Sequence, residues 1–430
     1  MNLKKNNFIT KLFKKKPKLE PVIYDARASE LWPTNFPAHV LKIIETLQRK
    51  GYEAYIVGGG IRDQLMNLHP KDFDVVTNAL PEQIKKCFDR ALIIGKRFKL
   101  VHVYFDRREY IEVATFRQDH SLAKHKSQGA LRQGGIVSRD NVYGAIEDDA
   151  LRRDFTVNAF YYNPGTHELL DFSNGIADFQ GRVLRLIGEP NARLKEDPVR
   201  ILRALRISNK LDFEIDAATI KAIPDHIALL GDIAGGRLFD EYQKILLYGQ
   251  AEKNFDSLIK MNILPILFPS LARSLEVKWF AEMVRQALRN TDERYYAKKT
   301  INPAYLIGVF LWHELQSTKK KLAEKMSYKK AYQDAVKATL SAQNKITGMP
   351  RFMTEMVEEM WALQRQLELR REKNILGIVN HPKYRAAYDF LVLRSQVGQV
   401  KPALCQWWHQ LYLMSEQERL SYLSNQVEKS

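Results

Sequence analysis

Val57-Gly58-Gly59-Gly60-Ile61-Arg62-Asp63, with Lys71-Asp72-Phe73-Asp74 following shortly after, is the stretch that decides the fold of this chain. Tyr52 to Val57 reads as a buried strand, and the glycines turn it into a helix through Leu68. A glycine turn that opens a helix presents backbone N–H groups to a phosphate. Asp72 and Asp74, two residues apart where a predicted strand over 73–77 begins, would point to one face in extended backbone. Paired carboxylates repel unless a cation lies between them. The two features together describe a place for a magnesium-bound nucleoside triphosphate.

Working outward, residues 38–50 carry helical spacing that stops at Gly51, and Pro81 to Phe88 reads as a short helix capped by Asn78. Strands are predicted at 92–94, 100–105, 110–116, 160–162 and 169–172. Residues 118–141 are polar and read as a long loop, of the kind that is usually functional. From Glu196 onward apolar residues recur at three and four, and the rest of the chain is predicted all helical. The fold class is therefore α+β, a mixed-sheet head followed by helical domains.

A chain of 430 residues is too long for one core, so several domains are expected. No apolar run reaches the length of a membrane span. Two distant cysteines, Cys87 and Cys405, point to a reducing, cytoplasmic setting without disulfides or a thiolate zinc site. The net charge of +17 favours polyanionic partners. Residues 1–20 hold seven lysines against Glu20, hence +6, so +11 is spread over the body. That lysine-rich arm suits an anionic membrane surface or RNA, and a solvated tail accounts for it as simply.

Arg62, on the first helical turn, could reach a triphosphate with two forked donors. Asp63 beside it reads as a structural cap or an ion-pair partner, not a catalyst. Glu112, alone among apolar neighbours in Ile111 to Phe116, reads as a buried acid that needs a partner or a metal. In Arg152-Arg153-Asp154-Phe155-Thr156-Val157-Asn158, Arg153 and Asp154 are candidates for nucleotide contact. In Glu196-Asp197-Pro198-Val199-Arg200, Asp197 reads as a helix N-cap with Pro198 at the first helical position. Arg200, Arg203 and Arg206 then recur every three residues among apolar ones, as a partly buried set.

These motifs, in this order, resemble the class II nucleotidyltransferases of the DNA polymerase beta superfamily. That family includes tRNA CCA-adding enzymes and bacterial poly(A) polymerases. Within it, Ile94 to Val103 resembles a segment that marks the poly(A) polymerases and is absent from CCA-adding enzymes. Asn302 to Leu306 and His381 to Asp389 resemble the poly(A) polymerase body, so the likeness spans about residues 40 to 410. The resemblance implies a basic arm (1–30), a catalytic head (31–173), a helical neck (174–236) and a helical RNA-binding body (237–430). It implies Asp72 and Asp74 as ligands of two magnesium ions, with Asp154 or Glu112 completing the acids. It also implies nucleotide contacts from Gly58, Gly59, Arg62, Arg153, Asn158, Asp197, Arg200, Arg203 and Arg206.

The implied activity is template-independent addition of AMP from ATP to RNA 3′ ends by a monomer. CCA addition to tRNA is the alternative, and a non-catalytic RNA-binding protein is a third. The chain is read as lacking the arginine-rich C-terminal extension of some relatives, since it closes on Asn425 to Ser430.

Overall fold

A computed structural model describes residues 19–70, 72–95, 99–118, 142–370 and 374–427. The predicted loop after Gln118, most of the lysine-rich arm and residues 96–98 lie outside them. The chain divides into two compact units, Met1–Glu189 and Pro190–Ser430.

The first unit is built on one eight-stranded sheet. Its strands are β1 (Val22–Asp25), β2 (Ala54–Val57), β3 (Asp74–Thr77), β4 (Ala91–Ile94), β5 (Leu100–Tyr104), β6 (Tyr110–Thr115), β7 (Phe160–Asn163) and β8 (Glu168–Asp171). They lie in the order β1-β8-β7-β2-β3-β6-β5-β4. Within the sheet β3 and β6 run parallel, with Asp74 opposite Glu112 and Thr77 opposite Thr115. The other paired neighbours run antiparallel.

Central strands covered on both faces read as apolar runs. Val75, Val76 and Thr77 are accordingly buried in succession, and β2 pairs with them from Ala54 to Val57. On one face Val57, Val76, Phe116, Ala150, Tyr161, Leu170 and Phe172 form a core. Helix α1 (Ala38–Arg49) buries Val40, Ile43, Ile44 and Leu47, the i, i+3, i+4, i+7 stripe of an amphipathic helix. The short helices α2 (Gly59–Leu65), α3 (Pro81–Cys87), α4 (Ile146–Arg152) and α5 (Gly175–Gln180) fill the connections.

Two local expectations need correction. Asn78 does not cap α3. Its side chain accepts the Glu53 N–H at 2.9 Å, and Gln83 accepts the Leu80 N–H instead. Strand β1 escaped the reading because Val22 and Ile23 are exposed and carry no buried alternation.

The second unit is helical apart from short extended pieces. It opens with α6 (Pro190–Glu196) and α7 (Val199–Leu211). Later come the long helices Lys278–Tyr296, Tyr328–Thr347 and Arg351–Leu369. Gly308 lets two of its helices touch, since a Cβ there would stand 2.2 Å from the Met360 methyl. No helix among the described residues is long and apolar enough to cross a membrane.

Candidate active site

Gly58 is the pivot of the head. Its φ of +85° and ψ of −150° fall in a region that side chains rarely enter. A Cβ at this position would lie 3.6 Å from Arg153 Nη1, 3.8 Å from Asp74 Oδ2 and 4.0 Å from the Asn158 carbonyl oxygen. A guanidinium, a carboxylate and a carbonyl thus converge on one bare α-carbon. The next glycines bring α2 down onto the acids: a Cβ at Gly60 would meet the Phe73 ring at 2.9 Å and the Asp72 carbonyl at 3.2 Å.

Asp74 opens β3, whereas Asp72 lies just before it, so the two acids do not share a strand. Both side chains lie in exposed positions. The Asp74 carboxyl is pushed above its ordinary pKa by desolvation first. Arg153 draws it back, and the charges of Glu112 and Asp72 raise it further. Three negative groups therefore act on one another around Asp74.

Glu112 is not buried as predicted. Strand β6 alternates, with Ile111, Val113 and Thr115 inward and Glu112 on the open face. Parallel register sets Glu112 beside Asp74, and His102 on β5 lies across from it with Nε2 at 3.7 Å from Oε1. His102 in turn stacks on Tyr110 at 3.8 Å.

Asp154 has a different place. Its Oδ1 accepts the Phe155 N–H at 2.8 Å and the Asn158 side-chain N–H at 3.1 Å, which ties down the turn Thr156–Asn158. Asn158 Oδ1 accepts from Arg62, and Arg62 donates its Nε at 2.9 Å and Nη2 at 2.5 Å to Asp63 Oδ1. Arg62 and Asp63 are both buried. Arg62 thus lies folded under the glycine turn, holding α2 to the Asn158 turn.

Asp149 is the residue that sequence reading missed. It is fully buried and accepts from Arg152 at 2.6 Å, Arg153 at 3.0 Å and the Tyr161 hydroxyl at 2.7 Å. Burial alone would raise its pKa. The guanidiniums of Arg153 and Arg152 and the Tyr161 hydroxyl overcome that and hold it at about 2. Arg153 is thereby clamped with its Nη1 toward Gly58 and Asp74. The signal was present in the spacing, since Arg152 and Arg153 follow Asp149 by three and four residues on one helix face.

The remaining predicted residues belong to the second unit. Helix α7 begins at Val199, and Asp197 accepts its N–H at 3.3 Å, one residue off the predicted cap geometry. Asp197 also pairs with Arg237 at 2.9 Å. Arg200 is buried and donates Nη1 to the Arg193 carbonyl at 2.6 Å and to Glu196 at 2.7 Å. Arg206 donates to the buried Glu241 at 2.6 Å. Arg203 is half-buried on the same helix. Arg237 and Glu241 had no sequence signal, because each meets its partner from another helix, whereas Glu196 stands four residues before Arg200.

Among the described residues no three His, Cys, Asp or Glu side chains converge as a preformed metal cage. The donor chemistry at Asp72 and Asp74 nevertheless fits a hard divalent cation. Glu112 opposite Asp74 in the parallel register, and Asp72 two residues before it, bring like charges together that a cation would relieve.

This mixed sheet with following helices is the fold of the CCA-adding nucleotidyltransferases. The Thermotoga maritima CCA-adding enzyme complexed with tRNA superposes with a TM-score of 0.58 at 18% identity, over 92% of this chain and 87% of that one. A CCA-adding enzyme complexed with ATP also gives 0.58 at 18%, over 91% and 86%. In sequence, the poly(A) polymerase head domain family matches residues 54–185. The probable RNA and SrmB-binding site of polymerase A matches 212–275, and the polymerase A arginine-rich C-terminus matches 324–430. Poly(A) polymerase I of Haemophilus influenzae is 41% identical over 94% of this chain and 91% of its own. That of Salmonella typhimurium is 38% identical over 90% and 84%. The chain belongs to the bacterial poly(A) polymerase I family. The C-terminal match corrects one expectation, because a segment of the arginine-rich type is present across 324–430.

Proposed function

We infer that this chain transfers AMP from ATP to the 3′ ends of RNA without a template, building poly(A) tails. The observation that carries the reading is the 41% identity with a poly(A) polymerase over 94% of the chain. A CCA-adding enzyme of Streptococcus thermophilus matches at 37% over only 51% of it.

In this reading the triphosphate lies against the Gly58-Gly59 turn, where main-chain N–H groups approach without a side chain between. Arg153, clamped by Asp149, faces the phosphates with a fixed charge that needs no reorganisation during reaction. Asp72 and Asp74 would hold magnesium, with Glu112 as the third acid from the neighbouring strand. Bound there, the metal would supply charge neutralisation and a more acidic 3′-hydroxyl. Asp154 is a positioning residue in this scheme, since it orients Asn158 and through it Arg62. On the second unit, Asp197, Arg200, Arg203 and Arg206 are the proposed nucleotide contacts, and of these Asp197 pairs with Arg237, Arg200 with Glu196 and Arg206 with Glu241. The head, neck and body are taken as 31–173, 174–236 and 237–430, after the basic arm at 1–30, and the enzyme acts as a monomer in the cytoplasm.

Primer extension with each single nucleotide tests the function. ATP alone should lengthen a generic RNA progressively. Efficient C-C-A addition that stops on truncated tRNA would overturn the reading.

A further inference from the structure

The +11 carried by residues beyond the arm is not evenly spread. Residues 319–330, Lys-Lys-Lys-Leu-Ala-Glu-Lys-Met-Ser-Tyr-Lys-Lys with a leading lysine counted at 319, hold six lysines against Glu324, a net +5 in twelve residues. Subtracting this +5 and the arm's +6 from +17 leaves +6 for the other 398 residues. The segment joins the helices Trp312–Ala323 and Tyr328–Thr347 of the second unit.

Two observations separate these lysines from an ordinary solvated surface. Arg200 and Arg206 on α7 donate to carboxylates. In the hairpin Lys330 pairs with Asp334 at 3.0 Å, but Lys320, Lys321, Lys325 and Lys329 are exposed and meet no carboxylate among the described residues. Helix stability does not account for them all either. Cations favour a helix C-terminus, which suits Lys320 and Lys321. Lys329 sits in the first turn of the next helix, where it opposes the dipole and that turn holds no acid, whereas its neighbour Lys330 is paired with Asp334.

The tip also carries an aromatic group. Tyr328 is 44% exposed, and the exposed Arg365 guanidinium lies 4.2 Å from its ring centroid. Lys319 Nζ approaches the same ring at 5.4 Å. Unpaired cations around an exposed aromatic–guanidinium stack are what a single-stranded nucleic acid recognises, the cations through phosphates and the stack through a base. A membrane surface would want apolar side chains projecting beside the lysines, and Leu322 and Met326 are both part-buried.

We propose that the Lys319–Lys330 hairpin, with Tyr328 and Arg365, is an accessory site for single-stranded RNA. It acts on retention of the substrate and not on the chemical step. The inference rests on the adenylyl-transfer reading for the identity of its ligand, but not for its test.

The test is binding of a fluorescent oligo(A) to the full chain without ATP, across a salt series. The wild type is compared with K320Q/K321Q/K325Q/K329Q, and separately with Y328A and R365Q. Losing four phosphate contacts should lower the log–log salt slope by about 3 and weaken binding roughly ten-fold or more at low salt. Y328A and R365Q should weaken binding with little change of slope. Matching thermal melts confirm that the exposed substitutions leave the fold intact. An unchanged slope and affinity in the quadruple variant would overturn the site. So would loss of binding to phosphatidylglycerol vesicles with RNA binding intact, which would make the hairpin a lipid contact. Extension by wild type with ATP is scored in parallel, so failure of the transfer reading shows there and not in the binding slopes.

Discussion

Asp149 touches none of the predicted metal ligands, yet it sets where Arg153 points. Replacing it with alanine leaves Arg152 and Arg153 without their enclosed counter-charge, and such losses cost about 3–5 kcal/mol. Urea unfolding of Asp149→Ala reads the value directly. Its pKa gives a second check. Held at about 2, it is depressed below the unfolded carboxylate. The stabilisation is therefore complete above about pH 4 and disappears as pH falls toward 2, a swing of about 2 kcal/mol. Asp149→Asn should flatten that acid limb of the stability curve. By contrast Asp74→Asn and Asp72→Asn should abolish primer extension while leaving the melting temperature within a few degrees of wild type. Retained extension in both would remove them from the metal site. At this scale the sequence was legible at Gly58, where a run of glycines announced a turn that the positive φ then requires. Asp149 stayed hidden inside Glu147-Asp148-Asp149, an acid run that resembles a solvated helix start. Glu112 was misplaced for the opposite reason, since its apolar neighbours masked the alternation that puts Ile111 and Val113 inward.

Among the elements, the glycine turn and α2 form the part most sensitive to a single methyl group. Gly58→Ala forces a side chain into backbone space that costs about 1–3 kcal/mol. The added methyl would itself sit in van der Waals contact with Arg153 and Asp74, so the cost comes from the backbone. Extension should fall further than the unfolded fraction explains, as measured at saturating RNA. Gly60→Ala should instead lift α2 from Phe73, with its larger effect on the apparent affinity for ATP. Strands β2, β3, β5 and β6 were readable because each shows either an apolar run or clean alternation. Asp72 and Asp74 were expected on one strand, and spacing alone could not reveal that β3 begins at Asp74 and leaves Asp72 outside it. The cap of α3 was misassigned because Asn78 had a better acceptor role toward Glu53, a strand-to-strand contact invisible along the chain.

Across the whole molecule, charge is the property most easily tested. Removing residues 1–18 deletes seven lysines, and the maximal rate of extension should not change. Any contribution of that arm to RNA would show as a lower salt slope in the binding titration. Helical content after Glu196 was plain from periodicity. Which arginines would be neutralised inside the fold was not, since Glu241 meets Arg206 across 35 residues of sequence.

The parallel pairing of β3 with β6 has a further consequence for how the protein is made. Asp74 leaves the ribosome with β3, but Glu112 can join it only after α3, β4 and β5 have been synthesised and β6 has docked. Arg153 and its clamp arrive later still. Domains fold largely as units during synthesis, and long-range strand pairing is the slow part. The nascent chain therefore exposes acids and glycines long before they can form a working centre. On the proposed assignment, a chain cut short of β6 and α4 would lack Glu112 and Arg153 beside Asp74, and with them the transfer centre.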